Sequence, residues 1–136
     1  MKIAITKRVH FCAGHRLFNP DLTDEENLAI FGLCSNPNGH GHNFVLEVTV
    51  SGEPDPRTGM IINLSELKKI INDSVINKVD HKNLNVDVDF MQGDIPTTEA
   101  FASRIFEILD KEIGKGLLDK VTLWESENNR FDVSRD

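Results

Sequence analysis

The sequence has no apolar run near the roughly 20 residues that a membrane-spanning helix needs. Its start, MKIAITKRVH, holds no apolar stretch of signal-peptide length. Both absences set the expectation of a cytoplasmic chain with no membrane partner. Cysteine is scarce: Cys12 and Cys34 are the two present. They allow at most one disulfide, and in a reducing compartment free thiols are the better expectation. Repeats, low-complexity segments and linkers are missing, and 136 residues suffice for one core, so a single domain over 1–136 is expected. Positive charge is short as well, with fifteen Lys and Arg against twenty-two Asp and Glu for a formal charge of −7. That balance disfavours a nucleic-acid binder, which needs a positive footprint. A small anionic substrate stays possible, because a few local cations can hold a phosphate.

What is present reads as an α+β chain. Ile3, Ile5, Val9 and Phe11 alternate, as do Phe44, Leu46, Val48 and Val50, and each set predicts a half-buried strand. Between them TDEENLAIF predicts a short helix with Thr23 and Glu26 spaced as a capping box. EPDPRTG breaks the chain, and MII after it predicts a short return strand. A first long helix is expected over NLSELKKIINDSVIN, with Asn63 as cap and Leu64, Leu67, Ile70, Ile71 and Val75 on its apolar face. A second follows IPTT, carries Phe101, Ile105, Ile108 and Leu109, and stops at Gly114. KVTLWES and RFDV then form a closing hairpin around ENN. Antiparallel hairpins with two helices predict an antiparallel sheet rather than a parallel α/β fold.

The densest chemistry lies in CSNPNGHGHN, residues 34 to 43. If the second strand begins at His40, then His40 and His42 project from one face. A third ligand must come from elsewhere, and His15, just past the first strand in FCAGHRL, is the candidate. His10 could replace it but has the opposite parity to Val9 and Phe11, and is taken as structural. Three imidazoles with an open fourth position suit a catalytic zinc, whereas structural zinc favours four ligands and thiolates. The competing reading is surface loop histidines hydrogen-bonded to backbone. Cys34 is either a small buried hydrophobe or a base or nucleophile favoured by nearby positive charge. Asp80 and His81 form a carboxylate–imidazole pair, or merely a loop after the first long helix. Glu125 in LWESENN could accept two parallel N–H bonds from a planar guanine- or pterin-like edge. Thr97 and Thr98 read as the cap of the second helix, and Glu99 as its first-turn charge.

FCAGHRL, DEENLAIFGLCSNPNGHGHNF, PDPRTGMIINLSELKK, VDHKNLN, PTTEAFA and WESENN occur in an order that resembles the 6-pyruvoyltetrahydropterin synthase family over nearly the whole chain. The resemblance implies the tunnelling fold, an antiparallel sheet with two long helices on one face that assembles into an oligomeric barrel. It implies a lyase acting on 7,8-dihydroneopterin triphosphate, releasing triphosphate to give 6-pyruvoyltetrahydropterin on the route to tetrahydrobiopterin. Carried over motif by motif, His15, His40 and His42 would hold Zn2+. Cys34 would be the catalytic thiol, assisted by Asp80 and His81, while Glu125 would anchor the pterin and Thr97, Thr98 and Glu99 would line its pocket. A homohexamer, a dimer of trimers with active sites between subunits, is the implied assembly. The chain departs from the family in having Cys12 and Gly14 around His15, where serines are common.

Two related branches share the fold. The 6-carboxytetrahydropterin synthases of queuosine synthesis typically place three residues between the cysteine and the HGH motif, whereas five, Ser35 to Gly39, intervene here. A folate-linked branch puts a glutamate in this loop, and none occurs between Cys34 and His40. A non-catalytic zinc- or pterin-binding module is the alternative from another class.

Overall fold

Strict alternation of apolar and polar residues drives two long strands together in the computed structural model, which describes Met1–Asp136. β1 (Ile3–His15) and β2 (His40–Gly52) pair antiparallel along their whole length, from Ile3 opposite Gly52 to His15 opposite His40. Phe11 and Ala13 of β1, and Phe44, Leu46, Val48 and Val50 of β2, are buried on one face. β4 (Leu118–Ser126) pairs with β2, and β5 (Asn129–Ser134) with β4, both antiparallel. β3 (Lys82–Asn83) adds a short parallel pairing to Ala13 and Gly14, so the sheet runs β3-β1-β2-β4-β5.

α1 (Asp24–Phe31) begins at the expected capping box: Thr23 Oγ1 accepts the Glu26 N–H, and Glu26 Oε1 accepts the Thr23 N–H, both at 3.1 Å. α2 (Leu64–Ile71) starts at Asn63, whose side chain accepts the Ser65 N–H at 2.9 Å. It continues through a π-helical turn, Asn72–Ile76, into α3 (Asn77–Val79). The wider turn brings both Val75 and Ile76 to the core before Val79 closes the face. α4 (Thr98–Ile113) is capped by Thr97, which accepts the Ala100 N–H at 3.1 Å, and ends at Gly114 with φ 72°. α2 and α4 touch each other and cover one face of the sheet, enclosing a core of 21 buried apolar residues. Fully burying a side chain such as Leu67 or Phe101 contributes about 1.5–3 kcal/mol.

Four expectations change. MII forms no strand: Met60 to Ile62 lead straight into the Asn63 cap, and Ile62 packs on the core from a bend. Leu64 is exposed, on the first turn of α2 at the rim of an open cleft that Ile3 and Ile5 also border. His15 is not past β1 but its last residue, since β2 begins early enough to pair with it. The sheet is not wholly antiparallel, because β3 returns beside β1 in the same direction. Both outer edges stay largely open: β3 covers only Ala13 and Gly14 of β1, and β5 has no strand beyond it. No helix is long and apolar enough to cross a membrane.

Candidate metal and pterin site

The strand register builds the metal-binding group. His15 stands directly opposite His40, and His42 opposite Ala13, so parity places all three rings on the helix-covered face with Phe11 and Phe44. His15 Nε2 and His40 Nε2 are 3.1 Å apart, and the ring centroids lie 4.6 to 5.2 Å from one another. One ligand atom from each ring lies within 4.8 Å of the others. The floor beneath them is aromatic: Phe44 lies 5.5 Å from His42 and 5.5 Å from Phe101, ring to ring, and stacks on Phe11 at 5.1 Å. Gly39, at φ 72°, makes the tight approach possible, because a Cβ there would come within 2.8 Å of the His15 carbonyl oxygen.

His15 is 2% exposed, and its Nδ1 sits 2.7 Å from the Pro96 carbonyl oxygen. A ring nitrogen facing a carbonyl must carry the proton, which leaves Nε2 as a bare lone pair aimed at the other imidazoles. Metal-bound histidines are oriented in this way by a backbone carbonyl on the far nitrogen. Burial pushes the pKa of His15 down, opposed by the Pro96 bond and aided by His40 and His42. Burial also lowers His40, with His42 adding to it, while the Glu125 charge acts upward on both. The net lowering keeps these two rings neutral, the form that ligates metal. The three side chains therefore form a group able to hold a metal ion, with no thiolate among them.

Glu125 lies where the β4–β5 register slips between Trp124 and Ser126. A bulge of this kind frees one residue from the ladder and turns its side chain. Thr98, 3% exposed on the first turn of α4, donates its hydroxyl to Glu125 Oε2 at 2.7 Å. Asn129 Nδ2 approaches Oε1 at 3.4 Å. The carboxylate is thus held near a helix N-terminus with one oxygen weakly committed. Thr97 serves as the helix cap, and Glu99 is exposed in the first turn, where its backbone carbonyl accepts the Ser103 hydroxyl at 2.8 Å.

The remaining candidates divide. Asp80 Oδ1 and His81 Nδ1 are 3.0 Å apart, and His81 adopts φ 62°. The Cys12 N–H donates to Asp80 Oδ1 at 3.1 Å, and this bond is the leading cause that holds the Asp80 carboxyl below its usual range. The thiol beside this pair is Cys12, at 3.8 Å from Asp80 Oδ1; Cys34 belongs to neither cluster within one chain. Cys34 sits half-buried in the 3-10 turn Gly32–Ser35, whose carbonyl at Cys34 accepts the Leu17 N–H at 2.8 Å. That bond ties the turn to the chain two residues past His15. His10 is exposed, on the face opposite the imidazole group. Sequence reasoning missed two contributors. The Pro96 carbonyl is a backbone atom with no side-chain signature, and Cys12 registered as a free thiol and a replacement for serine, with no place in the site.

Sequence and fold both match known proteins over most of the chain. The profile of the 6-pyruvoyl tetrahydropterin synthase family matches residues 4–136. Relatives named 6-pyruvoyl tetrahydrobiopterin synthase from Pongo abelii and Homo sapiens are 49% and 47% identical over 125 residues, covering 92% of this chain and 86% of theirs. The solved Caenorhabditis elegans 6-pyruvoyl tetrahydropterin synthase superposes with a TM-score of 0.93 at 39% identity, covering 100% of this chain and 97% of that one. With the family profile matching residues 4–136 and relatives nearly half identical over most of the chain, the chain belongs to the 6-pyruvoyl tetrahydropterin synthase family.

Proposed function

We propose that this chain is a zinc-dependent lyase that converts 7,8-dihydroneopterin triphosphate to 6-pyruvoyltetrahydropterin with release of triphosphate, in tetrahydrobiopterin-type pterin synthesis. The carrying observation is the facing trio His15, His40 and His42 beside the Thr98–Glu125 pair, in a chain at 47–49% identity to relatives named for that product. Three facing imidazoles, one already oriented by Pro96, fit zinc with a position left for substrate. When bound, zinc supplies Lewis acidity to the substrate's side-chain hydroxyls, making the carbon-bound protons beside them removable. Glu125 accepts the paired N–H edge of the pterin, with Thr98 holding one carboxylate oxygen and Thr97 and Glu99 bordering the ring. Cys34 as thiolate takes a carbon-bound proton. His81, oriented by Asp80, moves protons during tautomerisation.

Within one chain Cys34 lies outside the Asp80–His81 cluster, which favours a site completed between copies. The open edges of β1 and β5 supply the surfaces for a homohexamer, a dimer of trimers. Full turnover from a monomer would count against this assembly. Product identification tests the reaction itself: zinc-loaded protein with 7,8-dihydroneopterin triphosphate gives a pyruvoyl pterin and no acetaldehyde. A carboxypterin with acetaldehyde would instead assign the queuosine-type reaction, and no product at all a binding module. For the metal, His40→Ala loses most of the bound zinc; full metal content in that variant would refute the ligand set.

A further inference from the structure

A second group of ligand-type atoms, sharing no residue with the three histidines, lies on and beside the opposite face of β1. Cys12, Asp80 and His81 each offer one atom within 4.8 Å of the other two. Parity sends Cys12 away from the face that carries Phe11, Ala13 and His15. The backbone assembles the group before any ligand arrives. His81 N–H donates to the Cys12 carbonyl at 2.7 Å, Cys12 N–H donates to Asp80 Oδ1 at 3.1 Å, and Lys82 pairs with Ala13 in β3. These long-range bonds fix the loop in a conformation that gives His81 its positive φ.

From this we infer a second divalent-metal site, formed by the Cys12 thiolate, the Asp80 carboxylate and a ring nitrogen of His81, for a thiophilic ion such as zinc or cadmium. Tetrahedral bonds of about 2.3 Å to sulfur and about 2.0 Å to nitrogen or oxygen set ligand atoms about 3.3–3.5 Å apart. The observed separations bracket that range, at 3.0 Å between Asp80 Oδ1 and His81 Nδ1 and 3.8 Å between Cys12 Sγ and Asp80 Oδ1. Shifts of a few tenths of an ångström suffice, and the His81 ring, with side-chain exposure of 78%, has open space in which to make them. Cys12, His42, His81 and Asp87 border one open cavity, from which water can fill the fourth position. On binding, the metal–sulfur bond replaces the S–H bond, and the thiol proton passes to solvent.

Resting on the catalytic assignment of Asp80 and His81 above, an ion here removes both from proton transfer, so excess metal inhibits. Binding and inhibition are separable in the test. Zinc-loaded protein is titrated with cadmium, and the thiolate-to-cadmium charge-transfer absorption in the ultraviolet is followed for wild type, Cys12→Ser and Cys34→Ser. The expected result is a band in wild type and Cys34→Ser and none in Cys12→Ser, while cadmium entering the histidine group adds no thiolate band. A band that survives Cys12→Ser, or no band in folded wild type, overturns the site and leaves only an S–H···Asp80 hydrogen bond. His81→Ala, on an exposed side chain, keeps the thiol and weakens cadmium binding by about tenfold or more, since losing even an outer partner costs about 10–100-fold. Unchanged affinity in that variant overturns the site equally. A band without inhibition of turnover upholds the site and instead removes Asp80 and His81 from the reaction.

Discussion

His15 and His40 are register partners at the closing end of the β1–β2 ladder, and their Nε2 atoms meet at 3.1 Å. Two lone-pair nitrogens so close would repel, and only a shared proton or a shared cation makes the contact favourable. The Pro96 carbonyl holds the proton of His15 at the far nitrogen, so His15 Nε2 is the acceptor, and either the His40 Nε2–H or a cation bridges the pair.

That contact depends on how closely the two strands' ends approach, and Gly39 sets the limit. Gly39→Ala is expected to destabilise the fold by about 1–3 kcal/mol, the usual cost of a strained backbone, because φ 72° and a 2.8 Å approach to the His15 carbonyl both oppose a Cβ. Since the clash displaces His15, zinc affinity falls with it. Chemical denaturation and metal titration of the variant measure both. Gly59→Ala is the control, since its φ of 74° carries the same backbone penalty with nothing within 4 Å. Gly59→Ala therefore costs stability without weakening zinc.

Cys34→Ala separates the thiol from its turn. The hydrogen bond that anchors the turn uses the Cys34 carbonyl, which the substitution leaves in place. Fold, zinc content and pterin binding are therefore retained, while turnover drops by about 10²–10⁴, the usual cost of losing a general base. Steady-state kinetics beside metal analysis decide it. Equal turnover in variant and wild type ends the assignment of Cys34.

Thr98→Val keeps volume and removes one donor. Glu125 then loses its 2.7 Å partner, and a hydrogen bond to a charged group is worth about 1.5–3 kcal/mol. The expected change is a fall in kcat/KM of roughly ten- to a hundredfold, carried by KM, because anchoring the ring serves ground and transition states alike. A loss confined to kcat would place Glu125 in the chemistry rather than in binding.

Much of the site was legible because it obeys strand periodicity. His40 and His42 share a face whenever β2 starts at His40, and it does. The register that brings His15 opposite His40 is a pairing between segments 25 residues apart, and no local pattern encodes it. The meeting of Cys12 with Asp80 spans 68 residues and depends on the short parallel β3, a pairing too brief to leave an alternating signature. MII failed as a strand because three consecutive apolar residues fit a half-buried bend as well as a ladder. The π-helical turn before Asp80 was invisible, since one extra residue barely disturbs a helical apolar stripe, yet it sets where α3 ends and the Asp80–His81 loop begins.

The loop that carries Pro96 is itself pinned from α4. Arg104 Nε donates to Asp94 Oδ2 at 2.8 Å and Nη2 to Oδ1 at 3.3 Å, a two-pronged pair two residues before Pro96. The Arg104 hydrogen bonds hold the Asp94 carboxyl below its usual range. A carboxylate with a depressed folded pKa adds stability that is present above its unfolded pKa and is lost as pH falls through the folded value. Arg104→Gln removes the cause of that shift. At neutral pH the variant is expected to be slightly less stable than wild type, since solvent screens an exposed pair of this kind. The gap between wild type and variant stays constant down to the usual carboxylate range near 3.8 and closes below it. Denaturation midpoints across that interval measure the gap, and a gap that widens on acidification would contradict the pairing. Because the loop presents the Pro96 carbonyl to His15, Arg104→Gln also weakens zinc at neutral pH, where the pair is fully charged. Unchanged zinc affinity with reduced stability would mean that β1 and β2 alone hold His15 in place.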